Sequence, residues 1–294
     1  MPTATIPNPA RFEIGLKDGL MAGWRWRRAG APRLVFCHAT GFCASAYRRM
    51  LEAAANRFDI IAPDLRGHGR TRLPADPSRL ESWTVYADDI SDPLDRLGAD
   101  AKEPVTLAGH SLGAVTVTLA ARGRADVASL LLIEPVTLPR AVAALSATPL
   151  WPVVARRMPL VKGALSRRAE WPSRLDVMTS YARKRLFAPW AEGVLADYLE
   201  DGLIDDEGGC RLSCAPSWEA ATFAAHRCDF WGAVSARSAP MRVLGADSPD
   251  STLRFGAVRR FSRAGVEVAR LAGVSHLLPM ENPEAAAQFL RDCR

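Results

Sequence analysis

The sequence predicts an α/β protein: a mostly parallel, eight-stranded sheet with helices on both faces and an inserted helical cap. Three observations carry this expectation. Short apolar runs bounded by turn residues alternate with longer helical patterns, the order that lays parallel strands side by side beneath crossover helices. Between about residues 137 and 239 the strand signals stop, and Trp-Pro and Pro-Trp pairs such as Trp151-Pro152, Trp171-Pro172 and Pro189-Trp190 become frequent. Finally, the strand-like run Val105-Thr106-Leu107-Ala108 leads without a break into Gly109-His110-Ser111-Leu112-Gly113.

Each element follows in order. Residues 12–16 and 21–26 are expected to pair as antiparallel strands around Asp18-Gly19. Strands are expected over residues 33–37 and 59–63, with a helix near 46–56 between them. A helix near 84–97 precedes the strand at Val105, and residues 114–122 read as the helix that follows the Gly-rich turn. Another strand covers 127–133. Beyond the insertion come a strand over 241–245, a helix near 252–262, a strand over 266–270 and a closing helix over 281–292. The core is therefore expected to comprise residues 1–136 and 240–294, with 137–239 as the cap.

Size and composition bound the function. A chain of 294 residues with 48% apolar and 24% charged content is an ordinary globular protein. No run approaches the roughly 20 apolar residues needed to cross a bilayer, and the first residues lack both a basic start and an apolar stretch. A cytoplasmic location and no membrane partner are the default expectations. The net charge is +6, yet the arginines are scattered without interleaved aromatics, which argues against nucleic-acid binding. The six cysteines are Cys37, Cys43, Cys210, Cys214, Cys228 and Cys293. A chain this large needs no disulfide staples. Cys210 and Cys214 lack the second pair that a zinc site requires, and Cys37 reads as a small buried thiol in a strand.

The Gly-His-Ser-Leu-Gly turn is the chemically informative stretch. A serine on a strand-to-helix turn this tight must be flanked by small residues, and its hydroxyl is lifted above the sheet edge. The helix that follows points its free amides and positive dipole end at the reacting centre.

The segments Phe36-Cys37-His38-Ala39-Thr40-Gly41-Phe42, Asp64-Leu65-Arg66-Gly67-His68-Gly69, Gly109 to Gly113, and Gly273-Val274-Ser275-His276-Leu277-Leu278-Pro279 fall in this order along the chain. In these segments the chain resembles the α/β-hydrolase superfamily, in its serine-nucleophile branch with a helical cap. The resemblance implies Ser111 as nucleophile and His276 as its base. Three carboxylates compete for the third position. Asp247, after the strand at 241–245, is where the family expects the acid, although it comes one residue early; Asp250 comes two late. Glu134, at the end of the strand after the elbow helix, matches a second arrangement known in the superfamily. The resemblance assigns the oxyanion hole to the backbone N–H groups of Leu112 and Thr40, with Ala39 standing where most relatives carry glycine. Asp64, Arg66 and His68 read as a self-bonded turn, and the cap tryptophans mainly as core.

The resemblance implies a cofactor-independent serine hydrolase, a monomer or homodimer with no metal, acting on a carboxylic ester or related small acyl compound. Carbon–carbon bond hydrolysis, perhydrolysis and acyl transfer share the same constellation. Serine at the elbow argues against epoxide hydrolases and haloalkane dehalogenases, which would need aspartate there. A non-catalytic ligand receptor on the same scaffold is the alternative from another class. A membrane-surface lipase has little support, because no lid-like amphipathic run stands out in the cap.

Overall fold

The computed structural model describes residues 8–99, 104–254 and 256–292; Cys293 lies outside them. The strands are β1 Ala10–Leu16, β2 Gly19–Trp26, β3 Arg33–Cys37, β4 Asp59–Pro63, β5 Val105–His110 and β6 Val127–Ile133. Within the insertion come β7 Glu170–Trp171, β8 Leu203–Asp206 and β9 Gly209–Leu212, followed by β10 Met241–Ala246 and β11 Glu267–Leu271. Eight of them form the main sheet in the order β1-β2-β4-β3-β5-β6-β10-β11. The pairs β1–β2 and β2–β4 are antiparallel, and every other pair is parallel.

The central strands are apolar at successive positions because both of their faces are buried. In β3, Leu34 and Phe36 join one core while Val35 and Cys37 join the other; in β6, Leu131 and Ile133 oppose Leu130 and Leu132 in the same way. The first core is closed by the helices Arg48–Ala54 and Pro283–Arg291, through Met50, Leu51, Ala286 and Leu290. The second is closed by the helices Thr84–Ala99, Leu112–Ala120 and Ala257–Arg263. Helix Phe230–Ala236, the last of the insertion, also packs here through Phe230 and Val234.

Two elements differ from expectation. The insertion is not purely helical: β7, β8 and β9 form a small antiparallel sheet in the order β7-β9-β8. Its strands have two to four residues, too few for an alternating pattern, and the β8–β9 hairpin turns at Glu207-Gly208. The helix expected near residue 252 begins only at Ala257, because Ser251 and Thr252 are turned inward to hold a buried carboxylate. Among the described residues no cysteine is paired, no His/Cys/Asp/Glu cluster could hold a metal ion, and no helix is long and apolar enough to cross a membrane.

Candidate active site

Ser111 lies between β5 and helix Leu112–Ala120 with φ 56° and ψ −113°, a conformation that L-residues adopt only under constraint. The constraint is local. The Ser111 amide donates to the Ile133 carbonyl at 3.0 Å, tying the turn to β6. A Cβ on Gly113 would lie 2.0 Å from the Cys37 carbonyl oxygen, and one on Gly109 would lie 2.4 Å from Gly113. Only glycine at both positions lets the elbow close against β3.

The strand ends bring three side chains together. Ser111 Oγ lies 3.0 Å from His276 Nε2, and His276 Nδ1 lies 2.9 Å from Glu134 Oε2. The ring therefore donates through Nδ1 to the carboxylate and presents Nε2 to the serine hydroxyl. Glu134 follows β6, has φ 46° and is fully buried. Its Oε1 accepts from the Ala246 amide and the Ser251 hydroxyl, both at 2.7 Å, and its Oε2 from the Thr252 amide at 2.7 Å and the Thr252 hydroxyl at 3.0 Å. Burial alone would raise its pKa. The hydrogen bond and charge of His276, with the Thr252 and Ala246 amides, outweigh burial and hold it at about 2. The His276 loop is itself tied down, since Glu281 accepts from both the amide and the hydroxyl of Ser275.

Asp247 and Asp250 are not at this site. The Asp247 side chain is 67% exposed and pairs with Arg270 at 3.3 Å, while its amide donates to the Leu271 carbonyl of β11. Asp250 is exposed, with its amide on Ser248 Oγ. The physical reason is the path of the chain at the end of β10: Ala246, the last residue of β10, and Thr252, where the loop folds back, each give Glu134 a backbone amide, leaving the loop's own carboxylates facing out.

The loop after β3, residues 38–42, is clamped from both sides. The Ala39 amide donates to the Tyr47 hydroxyl at 3.0 Å, and the Gly41 amide to His68 Nε2 at 3.0 Å. Among the described residues the Thr40 and Leu112 amides have no hydrogen-bond partner. His68 Nδ1 donates to the Arg66 carbonyl, and buried His38 accepts the Leu65 amide on Nε2. Burial pushes the pKa of His68 down to about 4 and that of His38 well below its usual value, so both rings are neutral acceptors. Asp64 accepts the amides of Ala44 and Arg70, and Arg66 pairs with Asp89. All three residues of the Asp64-Arg66-His68 turn thus bond to neighbouring protein groups.

Several supporting residues carry no signal in the sequence. The Tyr47 hydroxyl lies 2.7 Å from His110 Nδ1. Ser251 and Thr252 hold Glu134. From the cap, Tyr198 donates to the Gly41 carbonyl at 3.1 Å, and Arg167 pairs with Glu219 at 2.5 Å directly above Gly41. Trp151, Trp171, Trp190 and Trp218 are buried, and Trp218 donates its indole N–H to the Arg66 carbonyl.

Comparison with known proteins places the chain. The sequence pattern of the alpha/beta hydrolase family matches residues 34–289. An epoxide hydrolase from Caballeronia sordidicola is 34% identical over 100 residues, 34% of this chain and 29% of that protein. The (E)-2-((N-methylformamido)methylene)succinate hydrolase of Acinetobacter baylyi is 33% identical over 89 residues, 30% of this chain and 31% of that protein. The matched stretches thus span about three tenths of these relatives. Among solved structures, E-2-(acetamidomethylene)succinate hydrolase superposes with a TM-score of 0.74 at 20% identity, covering 96% of this chain and 98% of its own. The thioesterase domain from the curacin biosynthetic pathway superposes with a TM-score of 0.73 at 18% identity, covering 96% and 99%. The family match spans the sheet on both sides of the insertion, and the chain belongs to the alpha/beta hydrolase family.

Proposed function

We propose that this hydrolase cleaves a carboxylic ester or a related small acyl compound through a Ser111–His276–Glu134 triad and a covalent acyl-enzyme. The observation that carries the reading is the unbroken line of contacts, 3.0 Å from Ser111 Oγ to His276 Nε2 and 2.9 Å from His276 Nδ1 to Glu134 Oε2. His276 takes the serine proton as Oγ attacks the carbonyl carbon, and Glu134 stabilises the imidazolium and holds the ring in register. The tetrahedral oxyanion is received by the Leu112 and Thr40 amides, a contribution typically worth about 10²–10³-fold per donor. His276 then gives its proton to the leaving oxygen, a water attacks the acyl-enzyme by the same route, and the acid product departs.

The partial match to an epoxide hydrolase does not redirect this reading. With serine at position 111 the nucleophile is an alcohol activated by a base, suited to attack on a carbonyl rather than on an epoxide carbon. The test is hydrolysis of p-nitrophenyl esters of increasing acyl length by the wild type and Ser111→Ala. Turnover that vanishes in the variant supports the reading, and the preferred length sizes the acyl pocket. A wild type no faster than Ser111→Ala on every ester overturns it.

A further inference from the structure

We propose that the outer face of the cap is a docking surface for an anionic phospholipid bilayer. This goes beyond the hydrolase reading and rests on charge and apolar exposure falling in one segment of the chain. Residues 140–190 contain ten Arg or Lys and two Asp or Glu, a net charge of +8. The whole chain carries +6, so everything outside this segment sums to −2. The same segment holds every exposed large aliphatic or aromatic side chain among the described residues. These are Leu150, Val153, Leu160, Leu165, Leu175 and Leu186, with exposures from 55% at Val153 to 74% at Leu175.

The packing of each helix explains why these side chains face outward. Helices Trp151–Ala155 and Pro159–Leu165 lie on helix Pro216–Ala224. The Trp151 indole donates to the Ala224 carbonyl, and Val161 and Ala164 pack on Ala220. Their opposite side presents Val153, Leu160 and Leu165. Helix Arg174–Ala182 turns Val177 and Tyr181 inward and leaves Leu175 outside. Arg167, two residues past Leu165, reaches the Tyr181 hydroxyl at 3.2 Å, which ties the segment after helix Pro159–Leu165 to helix Arg174–Ala182. Arg167 and Arg174 are paired with Glu219 and Asp205. Among the described residues Arg156, Arg157, Lys162, Arg183 and Arg185 are exposed and make no ion pair.

Aliphatic side chains projecting between unpaired cations match a bilayer surface, where acyl chains take the leucines and anionic headgroups take the cations, each cation contributing about 1 kcal/mol. A protein partner fits less well, because interface centres favour aromatic anchors, and the tryptophans Trp151, Trp171 and Trp190 of this region face inward. Single-stranded nucleic acid would likewise call for exposed aromatic rings to stack bases.

The test is co-sedimentation of the full chain with phosphatidylcholine vesicles, with and without phosphatidylglycerol, at low and high salt. Two variants accompany it: Arg156→Glu/Arg157→Glu/Arg183→Glu/Arg185→Glu, and Leu160→Ser/Leu165→Ser/Leu186→Ser. None of these residues belongs to the triad or the oxyanion loop, so melting temperature and turnover of a short soluble ester report whether each variant is folded. The expected result is pelleting with the anionic vesicles only, weakened by salt, about a hundredfold or more weaker in the charge variant and lost in the leucine variant. Absence of pelleting, equal pelleting with neutral vesicles, or unchanged pelleting of the variants overturns the proposal. So does a dimer in sedimentation velocity that the leucine variant dissociates, which would make the face a protein contact. Binding is read without turnover, so failure here is separate from failure of the hydrolase reading.

Discussion

The Tyr47 hydroxyl stands 2.7 Å from His110 Nδ1 in the buried core beneath the active site. On one side the Ala39 amide donates to that hydroxyl, and on the other His110 Nε2 donates to the His276 carbonyl at 2.9 Å. One chain of hydrogen bonds thereby joins the loop after β3, the Ser111 turn and the His276 loop. Burial and the neighbouring His276 push the His110 pKa down to about 3, so the ring stays neutral and its two nitrogens keep opposite roles. Tyr47→Phe is expected to leave the Ala39 amide and His110 Nδ1 unsatisfied, a loss of about 1–3 kcal/mol. Thermal melting reads the stability loss. A kcat that falls with KM unchanged would identify Tyr47 as a positioning residue, and unchanged melting and kcat would exclude that role.

Glu134→Gln should lower ester turnover by about 10³–10⁴-fold, because the amide can neither stabilise the imidazolium nor enforce its tautomer. Asp247→Asn should stay within about twofold of wild type, since an exposed pair such as Asp247–Arg270 is worth little. A large loss in Asp247→Asn, with Glu134→Gln active, would reverse the assignment of the acid.

Gly113→Ala should destabilise the fold by about 3 kcal/mol, at the upper end for overpacking, because its Cβ meets the backbone carbonyl of Cys37 rather than a flexible side chain. Gly163→Ala, in a cap helix with open space around it, serves as the control and should be neutral or slightly stabilising. Chemical denaturation of the two variants separates a steric effect from a general intolerance of substitution.

Stability should fall as pH drops below about 6.5. The folded state holds His68 and His226 at about 4 and His110 at about 3, from the usual 6.5. Between those values the unfolded chain binds protons that the folded chain does not, which favours unfolding. Glu134 adds a second loss of the same sign at lower pH. Its pKa is depressed from 4.5 to about 2, so the stability it contributes is full above 4.5 and disappears as pH falls towards 2. Melting temperatures across pH 3 to 8 check both windows, and a flat profile between pH 6.5 and 4 would contradict the first.

Local patterns along the chain carry whatever depends on neighbouring residues. The strand Val105–His110, the glycines around Ser111 and the following helix form one local unit, and its small residues are required by contacts that any such elbow makes. The doubly apolar strands were legible for a similar reason, since a run such as β6 has no polar face to offer solvent. The prolines and missing strand runs of residues 137–239 lead to an expectation of helices there, whereas the small sheet within them is hidden by strands too short to alternate.

Which carboxylate faces His276 is set by packing between distant segments. Glu134, Asp247 and Asp250 each follow a strand, and local pattern cannot say which way a loop folds. The sheet places the ends of β6 and β10 side by side, with the Glu134 amide on the Leu244 carbonyl. The loop after β10 then closes over Glu134 with the Thr252 amide, beside the Ala246 amide at the end of β10. A fully buried carboxylate persists only where donors converge on it, and that convergence comes from residues more than 100 positions away. The same holds for Tyr47 and Arg167, whose contacts arise from packing between segments that carry no shared motif.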